Sequence, residues 1–319
     1  MPALAPLAVL AMALYGIELP LFSLGPGPVR EVVPRLQVTG APTYRPQGKI
    51  LLTTVNVWRL NTFDALYAAF SRDAEIVPED VILVRGQTVR QYRRESLSQM
   101  DASKVAAAVY ALGRTTGYPE EHGDGALVQY VAPGSPAEGR LFPGELIVEV
   151  NGERVTDLEQ ISEAVGRSGG GALLRLTVEA EGKREEVTVR PEPVGPDGRL
   201  VVGVVLVPGL PIDLNIESDD DGGPSAGLMW ALGLTDLLTP GSLTSGRTVA
   251  GTGAIDLRGR VLPIGSVEHK VRAARRAGAE VFFLPRENLD EARRAGEDIE
   301  LVPVGTIEAA VRYLERGTA

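Results

Sequence analysis

The sequence predicts a mixed α/β protein that contains a mostly-β insertion and begins with a transmembrane helix. Three observations support this fold class. Ala3 to Leu24 is apolar, strand-like and helix-like segments occur on both sides of residues 120–205, and residues 120–205 themselves show the alternation and turns of short strands. We therefore divide the chain into an anchor at 1–25, a first α/β part at 26–119, an insertion at 120–205 and a second part at 206–319.

Composition excludes several classes of function. The 319 residues are enough for two domains, and 44% hydrophobic residues are ample for packed cores. The net charge of −10 argues against a nucleic-acid partner. The chain has no cysteine, which excludes disulfides, thiolate metal sites and cysteine nucleophiles.

The apolar N-terminal segment has the length of a membrane span only if Glu18 to Leu24 is counted, because a spanning helix needs about 20 residues. No Lys or Arg precedes it, and no clear small-residue cleavage site follows it. We expect a retained single-pass anchor, with a buried core helix or a cleaved signal peptide as the alternatives. Gly25 to Pro28 would end any helix here.

The first α/β part contains three recognisable elements. Ile50 to Val57 is rich in β-branched residues and predicts a strand, whereas Thr62 to Phe70 predicts a helix. Leu97 to Gly113 repeats its apolar residues near the 3.6-residue period, which predicts a longer helix that Gly113 ends.

The insertion reads as short strands and one helix. The predicted strands are Val128–Val131, Leu146–Val150, Leu174–Val178 and Glu185–Val189, and the predicted helix is Leu158–Val165. The segment from Ser135-Pro136-Ala137 to the hairpin signal Asn151-Gly152 resembles bacterial PDZ modules. The resemblance implies that an extended peptide adds to a sheet edge, and that the loop just before Val128 holds the C-terminal carboxylate of that peptide. That loop, residues 120–124, is acidic, so an internal or tethered segment, or a module that only positions other parts, stays open.

Ser225 is the candidate nucleophile. It follows Gly222, Gly223 and Pro224 and stands at the start of an apolar helix predicted from Leu228 to Leu238. A serine hydroxyl needs a base within hydrogen-bond reach and donors for the oxyanion, and backbone N–H groups at a helix start can supply those donors. The simpler alternative is that Ser225 only caps the helix.

Lys270 is the candidate base. Only four of the 32 basic residues are lysines, and this one follows the apolar and small residues Leu262, Ile264 and Gly265. An arginine cannot lose its proton in a protein, whereas a lysine buried beside apolar groups can lose it and act as a base.

These motifs resemble the proteolytic domain of Lon proteases. The resemblance rests on Gly223 to Gly227, on Thr252 in Ala250 to Gly253, and on Val261 to Gly265 followed by Lys270. With the apolar N-terminus and the PDZ-like segment, the chain resembles the membrane-anchored, ATP-independent PDZ–Lon proteases of bacteria.

The resemblance implies a Ser–Lys endopeptidase for protein or peptide substrates. It further implies that Thr252 orients the amine and that Gly223, Pro224 and Ala226 support the serine loop. It also implies a Lon-type fold with the PDZ domain inserted, a catalytic region outside the cell membrane, and a homo-oligomer.

Two alternative functions are weighed against this reading. Gly223-x-Ser225-x-Gly227 fits the nucleophile elbow of α/β-hydrolases, with His269 as base of an esterase. A catalytically inactive, membrane-tethered PDZ scaffold is the other. The chain has no His-Glu-x-x-His and no phosphate-loop motif, so we expect no metal and no ATP or other cofactor. Asp219, Asp220 and Asp221 are expected to form a solvated loop.

Overall fold

The computed structural model describes residues 17–71, 73–169, 171–180 and 182–316. The strands in this part, in chain order, are β1 Glu18–Glu31, β2 Leu36–Thr39, β3 Lys49–Asn61, β4 Glu75–Pro78, β5 Gly123–Val131, β6 Leu146–Val150, β7 Glu153–Arg154, β8 Leu174–Ala180, β9 Lys183–Val189, β10 Glu192–Val194, β11 Arg199–Val201, β12 Val204–Gly209, β13 Asp213–Ile216, β14 Thr248–Gly251, β15 Ala254–Ile255, β16 Val261–Leu262, β17 Val281–Pro285 and β18 Glu300–Val304. The helices are α1 Thr62–Phe70, α2 Glu79–Ile82, α3 Val89–Thr115, α4 Leu158–Arg167, α5 Gly227–Leu238, α6 Val267–Arg276, α7 Leu289–Arg294 and α8 Ile307–Arg316.

One six-stranded sheet joins the two halves of the chain. Its order is β18-β17-β14-β3-β1-β4, with parallel pairing from β18 to β3 and antiparallel pairing from β3 to β4. Val249 of β14 pairs with Ile50 of β3, so strands on either side of the insertion lie next to each other. The segment between them, residues 123–209, contributes no strand to this sheet.

The insertion forms its own antiparallel sheet in the order β12-β5-β6-β8-β9, with β7 paired to β6. Its core contains Val128, Ile147, Ile161 and Leu176. Asn151 adopts a positive φ of 52° in the predicted hairpin turn, and helix α4 begins with a capping box between Asp157 and Gln160. The strand and helix predictions for this segment are confirmed.

Helix α5 is the centre of the main core. Its residues Leu228, Met229, Trp230 and Ala231 have no exposed surface, and the helix packs against α3 and the large sheet. A helix that is apolar on all sides must be buried, which explains the position of α5.

The structure also confirms the predicted helices around Leu97–Gly113 and Thr62–Phe70 and the predicted strand around Ile50–Val57.

The predicted membrane span is wrong from Glu18 onward. Residues 18–24 form the start of β1, which lies between β3 and β4, and Gly25 to Pro28 continues the same strand. Phe22 and Leu24 are buried, and Ser23 between them is buried too. A strand covered on both faces has no polar alternation, so its sequence does not differ from that of a helix segment. Residues 3–16 lie outside the described residues. Where the structure describes the chain, we find no helix long and apolar enough for a membrane span.

Two further expectations about the insertion differ from the structure: its C-terminal boundary and the strand that forms its free edge. The boundary predicted between residues 205 and 206 falls inside β12, which continues to Gly209. We expected the loop before Val128 to lead to a free sheet edge. Instead it leads into β5, which lies between β12 and β6. The free edge on that side belongs to β12.

Candidate active site

The serine lies in a tight turn before α5. Gly223 has a φ of 87°, and a 3₁₀ turn spans Pro224–Ala226. The long helix α3 holds this turn from one side: the Gly223 N–H donates to Ser96 O at 2.7 Å, and Ser103 Oγ donates to Pro224 O at 3.0 Å. The cap position of α5 is Ala226, and no side chain caps it, so Ser225 is not a helix cap.

Thr252 and Gly253, which directly follow β14, hold the turn from the other side. The Gly253 N–H and Thr252 Oγ1 both donate to Ser225 O, at 2.7 and 3.0 Å. The Leu228 N–H in turn donates to Gly253 O at 3.0 Å. The serine backbone is therefore fixed by hydrogen bonds from two separate elements.

The structure brings Lys270 to this serine. Lys270 lies in the first turn of α6, and its Nζ donates to Ser225 Oγ at 2.7 Å and to Thr252 Oγ1 at 3.1 Å. Only 4% of the lysine surface is exposed, and Thr252 is fully buried. Ser225, Thr252 and Lys270, which the sequence singled out, therefore form one hydrogen-bonded group.

Burial changes the proton affinity of the amine. It lowers the pKa of Lys270 from 10.5 to about 7, and the negative charge of Glu291 opposes this change. Removing a cation from water disfavours its charged form, so the direction follows from the buried position. A large fraction of the amine is then neutral near pH 7 and can accept a proton.

His269 points away from Ser225. Its Nε2 lies 3.1 Å from Glu75 Oε2 on β4, while its neighbour Lys270 faces the serine. Adjacent helix residues differ by about 100° in direction, so both side chains cannot reach the same hydroxyl. This geometry does not provide the Ser–His pair that the esterase alternative needs.

The three aspartates before the serine are bound by arginines. The closest nitrogen–oxygen distances are 2.9 Å for Arg35–Asp219, 3.1 Å for Arg93–Asp220 and 3.3 Å for Arg30–Asp221. Asp219 and Asp220 are exposed, as expected of a solvated loop, and the loop also carries ion pairs. A Cβ added at Gly222 would lie 2.9 Å from Ser96 Cβ. Any larger residue at this position, an acidic one included, would therefore require α3 to shift.

The sequence reading missed the residues that support the site from α3. Ser96 and Ser103 are polar residues on a helix face that packs on the serine turn, and Ser103 lies among buried alanines. In the sequence, Ser103 stands out as a small polar residue within an alanine-rich helical stretch, which could have indicated a buried hydrogen bond. Between residues 17 and 316, with 72, 170 and 181 left aside, no group of three or more His, Asp or Glu residues is arranged to hold a metal ion.

Comparison with known proteins identifies two domains. Residues 218–313 match the Lon protease (S16) C-terminal proteolytic domain, which contains Ser225, Thr252 and Lys270, and residues 127–179 match the PDZ domain. The chain thus contains one segment that matches a Lon-type proteolytic domain and one that matches a PDZ domain.

Individual Lon proteases match about a quarter of this chain. Lon protease of Chloroflexus aggregans is 39% identical over 93 residues, which is 28% of this chain and 11% of that protein. Lon protease 1 of Herpetosiphon aurantiacus is 48% identical over 77 residues, or 24% of this chain and 9% of that protein. The match thus spans about a tenth of the length of these relatives.

Among solved structures, the PDZ domain of the SdrC-like protein from Listeria innocua is 23% identical. The match covers 26% of this chain and 93% of the Listeria chain, with a TM-score of 0.25. The PDZ assignment here rests on the family match to residues 127–179.

Proposed function

We propose that this chain, which carries a Lon-type proteolytic domain and a PDZ domain, is an ATP-independent endopeptidase that uses a Ser225–Lys270 dyad. The observation that carries the proposal is the 2.7 Å contact between Lys270 Nζ and Ser225 Oγ, made by a lysine that is almost fully buried. A buried amine with a lowered pKa is the form of lysine that can serve as a general base near neutral pH.

The reaction is acyl transfer to the serine. Neutral Lys270 accepts the hydroxyl proton of Ser225 as Oγ attacks the carbonyl carbon of the substrate peptide bond. The resulting ammonium returns this proton to the leaving amine as the tetrahedral intermediate collapses. A water molecule, deprotonated by the same amine, then attacks the ester carbonyl of the acyl-enzyme. The ammonium gives this proton to Ser225 Oγ as the ester C–O bond breaks, which frees the serine hydroxyl and restores the neutral amine.

Two neighbours serve this chemistry. Thr252 Oγ1 accepts a hydrogen bond from Lys270 and donates one to Ser225 O, so it fixes the amine relative to the serine turn. The N–H groups of Gly223, Gly227 and Leu228 already have backbone acceptors, so the oxyanion is proposed to be stabilised by N–H groups of the serine turn other than these three. The positive φ of Gly223 lets the chain present those other groups on the substrate side.

The PDZ domain is proposed to recruit or gate protein substrates. Its strand β12 leads through residues 210–212 into β13 and then to the serine turn. A polypeptide that adds to the free edge of β12 would therefore bind close in sequence to the catalytic turn.

The location is proposed to be the outer face of the cell membrane. The support is the apolar composition of residues 3–17 and the family resemblance, while the part of the former span from Glu18 onward belongs to the sheet. Protease added to intact spheroplasts should remove the region after Val29. Protection of that region until lysis would place the catalytic part inside.

The direct test of the activity is cleavage of an unfolded protein such as casein by the purified full chain, without nucleotide and with a chelator present. We expect cleavage by the wild type and none by Ser225→Ala. Cleavage that requires ATP, or that survives Ser225→Ala, would contradict the proposal.

A further inference from the structure

The helix that carries the catalytic lysine begins without a cap of its own. Ser266, at its cap position, has a φ of 58° and makes no capping hydrogen bond with its side chain. The Val267 N–H donates instead to Glu291 Oε1 of α7, at 2.8 Å. A carboxylate from another helix thus takes the place of the missing cap, where a negative charge also suits the helix dipole.

The second carboxylate oxygen of Glu291 is also bound. Asn288 Nδ2 donates to Glu291 Oε2 at 3.0 Å. The same Asn288 side chain accepts from the Ile264 N–H at 3.0 Å and donates to Ile264 O at 2.8 Å. Glu291 and Asn288 together therefore fasten residues 264–267, the loop that sets where α6 begins.

Glu291 differs from the other charged residues around α6. The elements that pack most closely on α6 are β1, α7, β3 and β14, and β14 has no charged residue. On the other three elements the charged residues apart from Glu291 all form ion pairs: Glu18, Arg30, Glu31, Lys49, Arg59, Asp290, Arg293 and Arg294. On α6 itself, Glu268 pairs with Arg272 and Arg294, His269 contacts Glu75, Arg276 pairs with Asp73, and Arg275 lies in the last turn.

Glu291 has hydrogen bonds but no ion pair among the described residues. Its charge also raises the pKa of Lys270 against the effect of burial. Val267 and Lys270 are three positions apart, so they lie on the same side of the first turn of α6.

We propose that Glu291 is a positioning residue for Lys270, which caps the lysine helix from outside and supplies a negative charge beside the first turn of that helix. By fixing Val267 it fixes the helix turn from which the lysine reaches Ser225. Its negative charge opposes the loss of proton affinity that burial causes. The amine can therefore still bind the proton that it later passes to the leaving group. The catalytic side of this role rests on the proposed function, whereas the effect on Lys270 does not.

The test uses NMR of the full chain labelled at lysine Cε. With four lysines in the chain, the Lys270 signal can be assigned by its loss in Lys270→Arg. In Glu291→Gln we expect Lys270 to titrate at least about half a pH unit lower than in the wild type, because a nearby opposite charge is lost. The acid limb of the cleavage profile should move in the same direction.

Asp290→Asn is the matched control. It removes the same charge one residue away, from a side chain that is 90% exposed and is paired with Arg293. We expect its Lys270 titration to match the wild type. An unchanged titration in Glu291→Gln, or an equal change in Asp290→Asn, would overturn the proposal.

Glu291→Asp separates charge from capping and serves if the Gln variant does not fold. It keeps the charge but is one methylene shorter, so we expect a Lys270 titration close to the wild type with faster hydrogen exchange at the Val267 amide. A lowered Lys270 titration in Glu291→Asp would overturn the charge role. If no protein cleaves substrate but the titrations behave as stated, the proposed function fails while the role of Glu291 stands.

Discussion

Lys270 Nζ lies 2.7 Å from Ser225 Oγ, although 45 residues separate the two in sequence. The contact depends on two elements that meet only in the folded chain: the turn before α5 and the first turn of α6. Because the amine is buried, its chemistry is set by its surroundings rather than by solvent.

The first prediction concerns Thr252. Thr252→Val keeps the shape of the side chain but removes the hydroxyl that binds both Lys270 and Ser225 O. We expect a loss of about 10-fold in kcat, the equivalent of one hydrogen bond of about 1.4 kcal/mol. Thr252→Ser restores the hydroxyl and should recover most of the activity. Equal activity in Val and Ser variants would show that the hydroxyl does not orient the amine.

The second prediction concerns the pH dependence of cleavage. The pKa of Lys270 is lowered to about 7, and the neutral amine is the active form. The rate should therefore rise as pH increases through about 7 and then level off, as measured by kcat/KM on a peptide that does not titrate in this range. A rising limb near 10 would indicate an ordinary exposed lysine and would contradict the buried base.

The third prediction concerns the cost of burying the lysine. The folded-state pKa lies below the unfolded value of about 10.5, so the unfolded chain binds more protons between pH 7 and 10.5. Lys270→Met, compared in a Ser225→Ala background, should unfold with a higher free energy at pH 7, by about 2 kcal/mol or more. The difference should narrow as pH rises towards 10. A Met variant that is less stable at pH 7 would contradict the assigned burial cost.

The fourth prediction concerns Asp236, a buried residue of α5 outside the site. Burial raises its pKa from 3.8 to about 6, while its Oδ1 accepts the Leu243 N–H at 2.7 Å. A raised folded-state pKa lowers stability as pH rises from about 4 through 6. Asp236→Asn keeps the acceptor without the charge, so urea unfolding should show a gain of about 1–3 kcal/mol at pH 7.5 and little change at pH 4. A gain of the same size at both pH values would point to another cause.

The hydrogen-bonded group of Ser225, Thr252 and Lys270 could be predicted from the sequence because the proposed chemistry restricts the residue types. A serine among small residues and a rare lysine in an apolar setting are local signals, and both lie where the structure joins them. The strands and helices with clear periodicity, such as Thr62–Phe70, were readable for the same reason.

Features that depend on distant pairing were not readable. Phe22, Ser23 and Leu24 are buried in succession because this part of β1 is covered on both faces, and only the pairing of β1 with β3 and β4 distinguishes the stretch from a helix. The role of β12 as the edge strand next to β5 requires a partner more than 70 residues earlier in the chain. The cap that Glu291 provides for α6 comes from another helix, so no local capping motif marks it.

The most direct measurement is peptide cleavage by Lys270→Arg. Arginine keeps the positive charge on a slightly longer side chain, but it does not lose its proton and cannot act as the base. With His269→Ala as the control, since His269 faces Glu75, we expect no detectable cleavage by Lys270→Arg and near wild-type cleavage by His269→Ala. Substantial cleavage by a folded Lys270→Arg protein, or loss of cleavage in His269→Ala, would contradict the assignment of Lys270 as the general base.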